Sequence, residues 1–137
     1  MSAMKSFFSL KPLVIVSTAI LVGLAGCVTT DTIQNHSYQT PSLDSVTVNV
    51  VRDQKFHIRD SVDDQNCPMQ LSINNINVGR YVTNQQDNYY LSPDLYTFKA
   101  TNCSGTTVFK VDLHRRQKLD LLLSIDGHGH PMIVDKQ

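Results

Sequence analysis

The chain contains no glutamate and no tryptophan, and beyond residue 27 it has a single alanine, Ala100. All 12 acidic residues are aspartates. With Glu and Ala missing, the residues that sustain helices are scarce, which excludes a helical bundle. What is plentiful is Val, Ile, Thr and Tyr, which suit strands, and Asn and Asp, which suit turns. An all-β domain follows. An excess of one charge is missing too: 12 basic side chains balance 12 acidic ones, so no broad basic field exists to attract nucleic acid. Catalytic signatures are equally scarce. There is no Gly-x-Ser-x-Gly elbow, no His-Glu-x-x-His and no phosphate-cradling glycine loop, and the expectation is a protein that is not an enzyme. Asp60, Asp63 and Asp64 lie close together, but on a polar stretch that reads as a solvated loop. Finally, the apolar run from Pro12 to Leu24 falls short of the about 20 residues that a membrane-spanning helix needs.

That short run acquires a meaning from its flanks. Lys5 and Lys11 precede it and Leu24-Ala25-Gly26-Cys27 closes it, the order of a basic region, an apolar region and small residues before a processing site. This segment resembles the lipobox of bacterial lipoproteins. The resemblance implies cleavage ahead of Cys27 and attachment of diacylglycerol and a fatty acyl chain such as palmitate to that residue. Val28 follows the cysteine where aspartate is associated with inner-membrane retention, so the same resemblance implies delivery to the outer membrane, facing the periplasm. Residues 1–26 are then a signal peptide. Residues 27–44, rich in Thr, Ser, Gln and Asn, read as the lipidated cysteine and a flexible tether with a reach on the order of 20–25 Å. Residues 45–137 are left as a single domain.

In an oxidising compartment the two remaining cysteines, Cys67 and Cys103, are expected to form a disulfide. Two free buried thiols are the alternative. A zinc site is disfavoured, because no Cys-x-x-Cys spacing is present.

From Ser45 onward the chain alternates. Val46, Val48 and Val50 share one face of a strand, and Phe56 and Ile58 suggest a second short one. Met69, Leu71 and Ile73, the pair Asn74-Asn75, then Ile76 and Val78 make a hairpin in which Leu71 opposes Val78, with Gly79 marking a bulge or close approach. Two extended runs lie either side of Ser92-Pro93-Asp94-Leu95, and Tyr96, Phe98 and Ala100 share a face. After a break at Ser104-Gly105, Thr107, Phe109, Val111 and Leu113 face inward, followed by a basic turn, His114 to Lys118. Leu119, Leu121, Leu123 and Ile125 make the strongest strand, Asp126 to Pro131 a Gly-His-rich loop, and Met132 to Val134 a short last strand. Seven to nine short strands spaced in this way predict a small antiparallel β-sandwich.

The segment Leu71 to Gly79, followed by Tyr90 to Phe98, resembles the PEGA-type repeat and related domains of small bacterial lipoproteins. Those share a strand, a "dG-x-x-x-G" turn, a strand and then "Pro-Gly-x-Tyr". Here Asn75 and Asp94 stand where the family has glycines. The resemblance implies an immunoglobulin-like or prealbumin-like sandwich and carries no active site with it.

Three clusters remain as candidate sites. His128 and His130, two residues apart on a glycine-rich loop, could share Cu(II), Ni(II) or Zn(II), with Asp126 or His114 as a further ligand. His114 to Lys118 could meet lipid phosphates or an acidic partner, although its place between two apolar strands marks a solvated turn. Tyr81, Tyr89 and Tyr90 could form an aromatic recognition surface or pack as ordinary core. The reading that joins these features is a non-enzymatic envelope lipoprotein. It has no cofactor beyond the lipid on Cys27, and it presents a sandwich to other envelope proteins or cell-wall components. The alternative is a small-ligand or metal carrier using the His128/His130 loop.

Overall fold

The computed structural model describes residues 36–137, and the signal peptide, Cys27 and most of the tether lie outside the described residues. Eight strands follow a short 3₁₀ turn, His36–Tyr38. They are β1 (Val46–Arg52), β2 (Met69–Ile73), β3 (Ile76–Tyr81) and β4 (Gln86–Leu91), then β5 (Leu95–Asn102), β6 (Gly105–Asp112), β7 (Lys118–Ile125) and β8 (Pro131–Asp135). Two four-stranded sheets, ordered β4-β1-β7-β8 and β3-β2-β5-β6, face each other. The expected all-β sandwich is the fold. Lettered in chain order, the sheets are D-A-G-H and C-B-E-F, whereas an immunoglobulin constant-type domain places A-B-E-D over C-F-G. Of the two sandwich types expected, the immunoglobulin arrangement is therefore not the one formed.

The core is built by alternation. Val46, Val48 and Val50 of β1 and Leu119, Leu121, Leu123 and Ile125 of β7 point inward from one sheet. Met69, Leu71 and Ile73 of β2 and Tyr96, Phe98 and Ala100 of β5 meet them from the other. Burying each large apolar side chain contributes roughly 1.5–3 kcal/mol, so these two central strand pairs carry most of the driving force. The edge strand β6 inserts Phe109 and Val111 only partway.

Not every expected pairing forms. All neighbours are antiparallel except β1 and β7, which run parallel with Val48 beside Leu119 and Val50 beside Leu121. The runs either side of Ser92–Leu95 do not pair with each other: β4 joins β1, while β5 joins β2 and β6, so this turn carries the chain from one sheet to the other. Phe56 and Ile58 lie on no strand, and Ile58 is 72% exposed. Asp53 accounts for this. Its carboxylate meets the Arg52 guanidinium, the Ser124 hydroxyl and the Lys55 amide, which fixes the end of β1 and turns the chain out of the sheet. Burial pulls the Arg52 guanidinium below its usual range, and the neighbouring Asp53 charge opposes that pull.

In the β2–β3 hairpin, Asn74 and Asn75 adopt left-handed φ angles of 48° and 66°, as a two-residue primed turn requires. Asn74 also caps β5, accepting the Thr97 amide on its side chain and donating its own amide to the Thr97 carbonyl, both at 2.9 Å. Leu71, however, opposes Gly79 rather than Val78, because Val78 is the extra residue of a bulge. The bulge switches the inward parity of β3, so that Val78 and Tyr81 are both fully buried although they stand three positions apart.

Tyr81 and Tyr89 have no exposed surface, and their hydroxyls bond each other at 2.7 Å. Of the three tyrosines considered for a recognition surface, these two are core. Burial pushes both phenols above their usual range. Because the folded values lie above the unfolded ones, full stability is present below about pH 10, and it is lost as the pH rises and the unfolded chain ionises first. Tyr81→Phe should cost about 1–2 kcal/mol by stranding the Tyr89 hydroxyl, with the double replacement Tyr81→Phe plus Tyr89→Phe recovering part of it. Thermal melts at pH 7 and between pH 9 and 11 check both statements: the double variant should lack the alkaline loss attributable to this pair.

Candidate functional site

The strand directions sort the loops onto two ends. At the end where β1 begins lie the His36–Tyr38 turn, the Asn74-Asn75 turn, the β4–β5 connection and the basic turn after β6. At the other end lie the long connection after β1, the β5–β6 turn and the β7–β8 loop. Each end gathers some of the residues singled out by the sequence.

The long connection, residues 53–68, is held down at several points. Asp60 accepts the amides of Asn66 and Cys67 at 3.1 and 3.2 Å, so this aspartate organises the loop. Gln65 bonds both the amide and the hydroxyl of Thr83, at 2.9 and 3.0 Å. Cys67 and Cys103 are paired, with Cα atoms 5.5 Å apart and a sequence separation of 36. Closing a loop of that length stabilises the fold by about 4 kcal/mol on the chain-entropy view. The two cysteines differ in access: Cys67 is 7% exposed, whereas Cys103 sits on the open β5–β6 turn. Beside them is an open cavity of about 420 Å³, lined by His57, Ile58, Arg59, Asp60 and Asn66 together with both cysteines.

A second group of contacts ties the β7–β8 loop to this region. His57 Nε2 lies 2.7 Å from the Ser104 hydroxyl. Asn102 donates its side-chain amide to the Gly129 carbonyl at 2.7 Å and accepts the Ser104 amide at 2.9 Å. Gly129 has φ +82°, and a Cβ there would fall 2.8 Å from His57 Nε2. Only glycine allows the loop to pass under the imidazole. His57, Asn102, Ser104 and Gly129 were not singled out by the sequence, since their partners are 27 and 47 residues apart and no local spacing signals them.

His128 and His130 belong to the same end, with ring centroids 6.3 Å apart. Asp126, the ligand considered with them, accepts the amides of His128 and His130 at 2.8 and 3.0 Å, and these two hydrogen bonds hold its carboxyl below the usual range. One of its oxygens thus shapes the loop, and the other lies 3.5 Å from His130 Nδ1. His114, the other ligand considered, is at the opposite end of β7, bonded to Asp112 at 2.6 Å; eight strand residues intervene, about 26 Å. Among the described residues no group of three or more His, Cys, Asp or Glu side chains is placed to hold a metal ion. The basic turn is largely neutralised: Arg116 pairs with Asp135 at 2.8 Å and Lys118 with Asp120 at 3.2 Å.

Gly129→Ala should separate the loops at this end, whereas Gly127→Ala, with nothing within 4 Å of its added Cβ, should not. The backbone alone costs about 1–2 kcal/mol at the positive φ, and displacement of His57 adds to it. The check is the melting temperature of both variants together with the NMR signal of the His57 ring, which should shift in Gly129→Ala only. The chain matches no protein-family profile, no curated protein and no solved structure.

Proposed function

We propose that this chain is a non-enzymatic lipoprotein of the bacterial outer membrane. In this reading Cys27 carries the acyl chains and the sandwich extends into the periplasm as an interaction module for other envelope proteins or cell-wall components. The observation that carries the reading is the separation of the two ends. The chain enters the sandwich where β1 begins, and the disulfide-closed loop lies where β1 ends, seven residues or about 23 Å farther on. An anchor ahead of residue 36 therefore holds the entry end toward a membrane and leaves the loop end pointing away from it.

Two further features support that polarity. Tyr38 lies against the core, and burial pushes its phenol up, as does the nearby Tyr96. The chain is thus held to the domain at Tyr38, so the distance from the lipid is set by residues 28–35, which span at most about 29 Å when fully extended. At the far end Ile58 and Val62 are 72% and 75% exposed on a loop that is otherwise polar and pinned. Apolar side chains fixed in exposed positions suit contact with a partner better than they suit solvent. The likeness to PEGA-type domains of lipoproteins agrees with this reading through its turns alone.

Mass spectrometry of the chain isolated from membranes should find Cys27 as the N-terminal residue, bearing diacylglycerol and a fatty acyl group. Cys27→Ser should move the protein out of the membrane fraction while leaving the melting temperature of the sandwich unchanged. An intact leader, or an unmodified Cys27 on membrane-bound protein, would overturn the proposal.

A further inference from the structure

We infer that the Cys67–Cys103 pair is a site of directional thiol–disulfide exchange, in which a thiolate of a partner peptide or protein attacks Cys103 and Cys67 leaves. The inference does not depend on lipidation of Cys27. It rests on the asymmetry of the two sulfurs and on the cavity beside them.

Exchange proceeds by attack of a thiolate on one sulfur along the bond to the other, so the reachable sulfur is the one attacked. Cys103 is exposed on the β5–β6 turn, and Cys67 is 7% exposed beneath the long loop. The leaving sulfur must accept the electron pair, and it departs faster when its thiolate is stabilised. The Cys103 amide donates to the Cys67 sulfur at 2.9 Å, so a hydrogen-bond donor already stands where that charge develops. The Cys103 sulfur instead lies 3.7 Å from the Asn66 carbonyl, a group that would not stabilise negative charge there. Both differences favour the same direction.

The surroundings suit an incoming thiolate. The open cavity of about 420 Å³ brings a cation, Arg59, and an exposed apolar side chain, Ile58, to the same wall as the sulfurs. A guanidinium favours the anionic nucleophile over the neutral thiol, and an apolar neighbour gives a peptide segment something to rest on.

In the first step the partner's sulfur bonds to Cys103 Sγ, the Cys67–Cys103 bond breaks, and the electron pair goes to Cys67 Sγ. A second thiolate of the partner then attacks the mixed disulfide, forming the partner's disulfide and releasing Cys103 as thiolate. The two protons from the partner's thiols end on Cys67 and Cys103. The partner dithiol is oxidised and this disulfide reduced by two electrons, one partner per chain. The same event removes the covalent link between the 53–68 loop and the β5–β6 turn and leaves the His57–Ser104 contact between them, so exchange also loosens the end proposed to meet partners.

Reduced glutathione is the probe. The full chain is incubated with it at pH 7, quenched with acid, and its free thiols are blocked with N-ethylmaleimide before peptide mapping by mass spectrometry. Glutathione should sit on Cys103 and maleimide on Cys67, exceeding the reverse pattern by about tenfold. Arg59→Gln should slow adduct formation severalfold at low ionic strength without changing the melting temperature, and added salt should narrow the difference. Equal labelling of the two cysteines, preference for Cys67, or adducts that form in urea but not on the folded chain would overturn the inference. Peptides containing Cys27 are resolved separately and report only on the anchor.

Discussion

The parallel pairing of β1 with β7 is the constraint from which the placement of every loop follows. Because the two strands run the same way, the chain leaves β7 at the end where it also leaves β1. That brings the β7–β8 loop against the long connection and lets Gly129 pass beneath His57. It also puts the N-terminal entry, on one sheet, and the disulfide, beside β2 and β5 of the other, at opposite ends of the sandwich. Were β1 antiparallel to β7, an anchor at the N-terminus would pull the disulfide-closed loop toward the membrane instead of away from it. The pairing is secured by burial on both strands, with Val48 and Val50 beside Leu119 and Leu121 and none of the four exposed.

The loop end behaves as a second, smaller structure built on that frame. Covalent closure by Cys67 and Cys103, the Asp60 and Gln65 hydrogen bonds, and the chain from His57 through Ser104 and Asn102 to Gly129 cross-link four connections. Loops normally vary in conformation because few contacts hold them. Here each has partners in another loop, so Ile58 and Val62 are presented outward on an ordered base. An exposed apolar residue costs little when its backbone is fixed elsewhere, and it can meet a partner without first being ordered.

Much of this was legible in the chain. The missing Glu and Trp, the period-two runs in β1, β2, β5 and β7 and the Asn74-Asn75 turn point directly to the sandwich, because each is a local signal acting over a few residues. Local signals also explain what went astray. Phe56 and Ile58 alternate like a strand, yet Asp53, held by Arg52 and Ser124, turns the chain away before they can pair. Counting from the turn matches Leu71 to Val78, but the bulge that Gly79 signals moves the match to Gly79 itself, because a glycine marks the irregularity without giving its effect on register. The cysteine pair was found by counting, whereas the cavity beside it and the His57–Ser104 contact join residues far apart and have no sequence signature. Asp126 beside two histidines is a familiar ligand pattern; in the fold one of its oxygens accepts the amides of those same histidines, a backbone role that the pattern does not signal.

The polarity of the domain relative to its N-terminal entry presupposes one strand direction, so that direction is the quantity to measure. Inter-strand NOEs in the isotope-labelled chain report it without ambiguity. Parallel register gives contacts from Val48 to Leu119 and from Val50 to Leu121, advancing together along both strands. Contacts that advance along β1 while retreating along β7, or their absence with β1 found beside another strand, would bring the anchor and the disulfide to the same end and contradict the arrangement described.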